Sequence, residues 1–340
     1  MKKLILVCIV ICLVFCFANL VFAAGQEVKK LKVAVVYNSN LEEPFINVIH
    51  KAFLKAEEEL NIEYSFAEDV APPDFERVMR EYASRGCDLL LAPTYGTEDA
   101  ARRVATDYKD IYFCFGSNLG PQEPNVAVFD QHNVGGSYLC GMIAGMLTKN
   151  QKFHPSINEQ SVIGVVDALP IPVVNARINA YIAGAKEVNP DIVVKVSFIG
   201  SFFDPPKAKE ATIAQIEAGA DIIFAARYGV IDACITKGAL AFGAVNDQYE
   251  LGPNVVITSS VWNFYPTVEK LVSDIRGGTF KAIDLGYLSF LRYEGNYLAP
   301  YREFEDKVPN DVKEMVTKRI EEIKSGKFIE LRDNSDPTKK

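Results

Sequence analysis

The residues able to do chemistry in this chain are few, and most are suited to holding a molecule rather than converting it. His50, His132 and His154 lie far apart and without ligand spacing, so a zinc site or a histidine-based triad has almost nothing to draw on. Cys87, Cys114, Cys140 and Cys234 each stand among apolar residues with no CxxC pair. That reads as four buried thiols, not a disulfide scaffold. The stretch GGSYLCGMIAG lacks the Lys-Ser/Thr ending of a phosphate loop and reads as helix packing. What remains is a set of flat rings, amides and charges: Asn38, Phe45, Tyr95, Phe202, Arg227, Asp247 and Trp262. A planar heteroaromatic ligand suits such a set. Each ring stacked on it contributes about 0.5–1.5 kcal/mol beyond area burial, and in-plane Asp or Asn groups reject ligands that lack the matching edge.

Most of these residues follow an apolar, β-branched run. LKVAVVYN, IEYSFAED, CDLLLAPTYG and DIYFCFGSN alternate with helical patterns, and after the polar stretch QKFHPSINEQ the alternation restarts with SVIGVVDA. This is the pattern of a parallel sheet flanked by helices, made twice. In open parallel sheets ligands bind outside the carboxyl ends of the strands, which is where these side chains fall. The expected division is lobe 1 over 27–150, lobe 2 over 157–262, a return to lobe 1 over about 263–285 and to lobe 2 over about 286–332. DLGYLSFLRYEGNYLAPY is expected to form a pair of strands, and DNSDPTKK to be frayed.

Each residue also has an alternative reading. Tyr95 serves equally as packing against the next helix, and Trp262, the sole tryptophan, as core. Asp204 before Pro205-Pro206 is expected to cap a helix. Arg227 after IIFAA wants an anion, with a salt bridge to Asp247 or Glu250 as the alternative. Asp247, a lone carboxylate after a buried strand, wants a partner.

The chain opens with MKK, a long apolar run and the small residues Ala23, Ala24 and Gly25, the pattern of a secretory signal at 1–23; a retained membrane anchor is the alternative. Cleavage leaves about 317 residues, more than one core usually serves, so two lobes are expected. With Lys2 and Lys3 gone the formal charge of −8 becomes −10, which argues against nucleic acid as partner.

The stretch YIAGAKEVNPDIVVKVSFIGSFFDPPKAKEATIAQIEAGADIIFAA closely resembles the basic membrane protein (Bmp) family of ABC-transporter substrate-binding proteins, which includes bacterial purine nucleoside receptors. NVAVFDQHNVGGSYLCGMIAGMLTKN and FGAVNDQYELGPNVVITSSVWNFYPTVEKLVSDIRGGTF support it, so the resemblance covers nearly the whole chain after the leader. It implies a type I periplasmic-binding-protein fold, two doubly wound α/β lobes joined by crossovers, with a purine ring sandwiched between Phe45 and Phe202 and with Phe203 turned into the lobe. Departures touch the sugar site. YNSNLEEPF has Asn38 and Asn40 in place of the family's Asp-rich segment, Trp262 stands where nucleoside binders have Lys, and VNDQ keeps Asp247 but has Val245 for the first Asp.

The implied function is an extracytoplasmic receptor that delivers a purine nucleobase or similar flat heterocycle to an ABC permease. It is expected to work as a monomer, with no cofactor and no metal. A purine nucleoside receptor is the alternative within the family. An exported nucleoside-processing enzyme and a ligand-sensing partner of a membrane receptor are the alternatives outside it; the enzyme would need a carboxylate cluster or placed base that the sequence does not offer.

Overall fold

The computed structural model describes residues 29–117 and 119–339; the expected leader lies outside them. In the first lobe β1 (Leu31–Val36), β2 (Ile62–Ala67), β3 (Leu89–Pro93), β4 (Tyr112–Gly116) and β5 (Val126–Phe129) form a parallel sheet of order β2-β1-β3-β4-β5. The connecting helices are α1 (Pro44–Glu59), α2 (Pro72–Ser84) and α3 (Glu98–Asp107). β1 shows why the strands read as continuous apolar runs. Val33 and Val35 enter one core cluster, Ala34 and Val36 another on the opposite face, as a sheet covered on both sides requires.

The second lobe repeats the topology. β6 (Val162–Asp167), β7 (Val193–Phe198), β8 (Ala220–Ala225), β9 (Leu240–Val245), β10 (Val256–Trp262) and β11 (Asn296–Leu298) have the order β11-β10-β9-β8-β6-β7, with β11 antiparallel to β10. Its helices include α4 (Val134–Leu147), α5 (Pro172–Val188), α6 (Pro205–Glu217) and α7 (Val230–Lys237). The strand order reverses between β1 and β3 in one lobe and between β6 and β8 in the other. These reversals open the crevices where such sheets bind ligands.

α4 falls within the stretch expected as lobe 1, yet it runs along α5 and lies against β10. A Cβ on Gly141 would meet the Tyr181 carbonyl at 2.0 Å, and one on Gly184 the Tyr138 carbonyl at 2.0 Å, so the two backbones touch only because both residues are glycine. After β10 the chain passes back to the first sheet. α8 (Tyr265–Arg276) packs on α1, and Val128 bonds to Ile283 and Leu285 at the edge of the first sheet. α9 (Asn310–Ser325) packs on α4. The expected strand pair after Asp284 is instead two 3₁₀ turns, Gly286–Ser289 and Leu291–Tyr293, and the three-residue β11. Glu294 is left-handed (φ 63°), and Gly295 lies so close to the Leu288 carbonyl that a side chain would collide with it. The segment coils where an extended pair would run straight. Nor is the tail frayed: Asn175 donates to the Asn334 carbonyl, and Asn179 to those of Asp333 and Ser335.

Candidate functional site

Asn38 follows β1 and Tyr95 follows β3, so they flank the first reversal point. Asn38 Nδ2 donates to the Tyr95 carbonyl at 3.4 Å, and the Tyr95 hydroxyl donates to Asp130 Oδ1 at 3.1 Å. Burial, with Asp130 alongside, pushes the Tyr95 phenol well above its ordinary pKa. Phe45 is the second residue of α1. Its ring lies edge-on to Tyr95 at 6.1 Å and stacks on Trp262 at 5.1 Å with 8° between planes. Trp262 ends β10 and is 1% exposed. Its Nε1 donates to Ser289 Oγ at 3.1 Å, and that hydroxyl donates to the Asp130 carbonyl at 2.6 Å. Phe129 and Phe264 close around the indole. Of the two readings of Trp262 the structure shows the core one, with the indole packed behind the Phe45 ring.

At the second reversal point β6 ends on Asp167 and Arg227 follows β8. Asp167 is fully buried and held by Arg177 Nε and Nη2 at 2.6 and 2.7 Å, and by the Ala168 N–H at 2.7 Å. Arg227, 5% exposed, approaches the same carboxylate at 3.3 Å and donates through Nη1 to the Phe202 carbonyl at 2.9 Å. Its partner is thus Asp167, not Asp247 or Glu250. Desolvation pulls its pKa down, and the charge of Asp167 resists the change. The Phe202 ring lies 5.9 Å from the guanidinium carbon and is 47% exposed. Phe203 is not turned into the lobe: it is 49% exposed and meets Tyr228 edge-on. Asp204 caps α6 through the Lys207 N–H, as expected.

β9 ends on Val245 in the left-handed region (φ 72°), an uncommon conformation for a β-branched residue. The following turn brings Asn246 to the Tyr228 hydroxyl and Asp247 to Arg302, whose Nη2 donates at 2.5 Å. Asp247 has its partner inside the chain, on a turn more than fifty residues away.

Sequence reasoning missed Glu43 and Arg177 as members of this region. Glu43 caps α1 by accepting from the Ile46 N–H at 2.9 Å. Burial raises its pKa, while Arg227 and Arg177 of the other lobe oppose the rise. The only available signal was spacing: an acid directly before a proline-initiated helix, and an arginine in the helix that follows a strand ending in Asp.

The two reversal points thus gather aromatic rings, amides and paired charges. Among the described residues no group of three or more His, Cys, Asp or Glu could hold a metal ion. Among the described residues Cys87, Cys114, Cys140 and Cys234 are free and buried. Burial pushes Cys87 up to about 11 and Cys234 to about 12, so these thiols stay protonated. No helix of the described residues is long and apolar enough to cross a membrane.

Residues 30–286 match the family profile described as ABC transporter substrate-binding protein, PnrA-like (Bmp). A purine-binding protein of Brucella abortus is 28% identical over 282 residues, 82% of this chain and 75% of that protein. A Haloferax volcanii ABC-transporter protein whose name proposes glucose as its ligand is 33% identical over 216 residues. That match takes in 62% of this chain and about half, 52%, of the Haloferax protein. A solved ABC-transporter solute-binding protein of Conexibacter woesei superposes with a TM-score of 0.71 at 23% identity, over 89% of this chain and 99% of that one. This last likeness speaks for the two-lobed fold of periplasmic binding proteins.

Proposed function

The chain belongs to the Bmp family of PnrA-like ABC-transporter substrate-binding proteins, and from that premise we propose that it captures a purine nucleobase, or a similar flat heterocycle, between its lobes and delivers it to a membrane permease. The observation that carries the reading is the ring wall of Phe45, backed by Trp262 and edged by Tyr95, together with the exposed Phe202 at the carboxyl ends of the other sheet. A planar ligand is the shape two such walls can grip. The Brucella relative named for purine binding supports it.

In this reading Phe45 and Phe202 stack on the ring, and Asn38, Tyr95 and Arg227 meet its polar edge. Trp262 supports Phe45 from behind, and Asp247 with Arg302 sets the rim. The absence of a Lys at Trp262 leaves a ribose without the cation that nucleoside binders are expected to supply, which favours the free base. The protein acts outside the cytoplasm as a monomer, closing on its ligand through contacts made only in the closed state.

The test is mass spectrometry of small molecules released on denaturing the purified protein, followed by titration calorimetry of the refolded apo form. A free base bound tightly supports the proposal. A nucleoside keeps the family role and overturns the reading of the sugar site. Heat from glucose and none from any purine overturns the ligand class.

A further inference from the structure

Arg227 carries more positive charge into lobe 2 than the lobe neutralises. Asp167 is the carboxylate within ion-pair distance of two guanidiniums, and Arg177 takes both of its oxygens in a bidentate grip at 2.6 and 2.7 Å. A third donor, the Ala168 N–H, also uses Oδ1. Arg227 therefore meets an acceptor already engaged, at 3.3 Å and without hydrogen-bond geometry, and its buried Nε has no hydrogen-bond partner. Of its five N–H donors, one, on Nη1, has an acceptor among the described residues, the Phe202 carbonyl. A buried cation so poorly paired is costly unless something else accepts from it.

The guanidinium is also well placed for a ligand. From a position just past β8 it reaches Asp167 at the end of β6 and the Phe202 carbonyl in the loop after β7, at the reversal point of the second sheet. Beside it stands the exposed Phe202 ring, and from the other lobe Glu43 is close enough to feel its charge.

We infer that Arg227 is the specificity-determining residue of the site and that it selects a 6-oxopurine over a 6-aminopurine. The inference rests on the purine reading above. A guanidinium only donates. The O6 and N7 atoms of hypoxanthine or guanine are two adjacent acceptors that match its fork, the same pairing by which arginine reads guanine in DNA. Adenine turns a donating amine toward it in place of O6, leaving two donors facing each other. Glu43 across the cleft accepts from the N1–H that oxopurines carry and adenine lacks.

The experiment is titration of the refolded full chain with hypoxanthine, guanine and adenine, repeated on Arg227→Lys, with a thermal melt of each protein. A discrimination of about 1–3 kcal/mol for a bidentate pair corresponds to at least a fivefold preference for the oxopurines. That preference is expected in the wild type and lost in Arg227→Lys, which keeps the charge but not the fork. If adenine binds as tightly as hypoxanthine, the inference falls and the purine reading stands. A preference undiminished in a folded Arg227→Lys protein removes Arg227 as its source. If no purine binds at all, the purine reading falls and takes the inference with it. Should the variant not fold, the wild-type ratio alone still decides whether oxopurines are selected.

Discussion

Phe202 and Trp262 are both aromatic residues at strand exits, and only exposure separates their jobs. The Phe202 ring is nearly half exposed, whereas the indole is buried, stacked and hydrogen-bonded to Ser289. Phe202→Ala is expected to weaken ligand binding more than tenfold while leaving the urea midpoint almost unchanged. Trp262→Ala is expected to cost about 3–5 kcal/mol of stability, the usual range for emptying an aromatic core position. Calorimetry and urea melts on the pair decide it. Equal affinity in Phe202→Ala would take that ring out of the site, and an unchanged midpoint in Trp262→Ala would mean the indole is not core. The same contrast applies to charge: Asp167 ends one buried strand and Asp247 follows another, but Asp247 pairs with Arg302 and Asp167 is sealed under Arg177.

Two contacts between elements of lobe 2 each lend themselves to a test. α4 and α5 approach through Gly141 and Gly184, where an added methyl would meet a backbone carbonyl that cannot step aside. Gly141→Ala is therefore expected to destabilise by about 1–3 kcal/mol, the cost of overpacking, despite the better helix propensity of alanine; a more stable variant in urea would refute the close approach. Asp221, which stands near the start of β8, joins that strand to the end of α4 by accepting from Thr148 Oγ1 at 2.9 and 2.8 Å. Burial raises its pKa from 3.8 to about 6, although Thr148 and the Asn158 N–H pull the other way. The folded state thus keeps a proton that the unfolded chain releases near pH 4. Stability from this group is complete below the unfolded value and falls as pH rises toward about 6, by at most about 3 kcal/mol. Relative to Asp221→Asn, the wild type should lose stability between pH 4 and 7. A constant difference across that range would show that the carboxyl titrates normally.

For the whole molecule, the passages between lobes matter most. The chain crosses after β5, after β10 and again after Asp284, and the tail lies over these passages. Glu330 accepts from the Leu291 N–H, and Arg332 pairs with Asp130 at 2.9 Å and contacts His132. A chain ending at Phe328 is expected to melt several degrees lower, since about 1 kcal/mol moves the melting temperature of a protein this large by roughly 2–4 °C. An unchanged melt would make the tail a passive appendage. Bound ligand should raise the melting temperature of both forms, because it binds only the folded state.

Much of the architecture was legible in the residue order. β-branched runs alternating with amphipathic helices are a local pattern, and they locate two parallel sheets and the carboxyl ends of their strands. Asp204 as a cap and the buried cysteines are local facts of the same kind, readable from their immediate neighbours. The partners were not local. Arg227 with Asp167, Asp247 with Arg302, and Phe45 with Trp262 join residues dozens to hundreds of positions apart, and no periodicity encodes which acid reaches which base. The side of the molecule on which α4 lies depended on glycines meeting glycine-width gaps in another helix, and Phe203 stays out of the lobe for reasons of packing that its neighbours in sequence do not reveal. Periodicity is set along the chain, so the sequence by itself determined the elements. Pairing is set by which surfaces remain to be buried once those elements meet, and only the tertiary structure decided it.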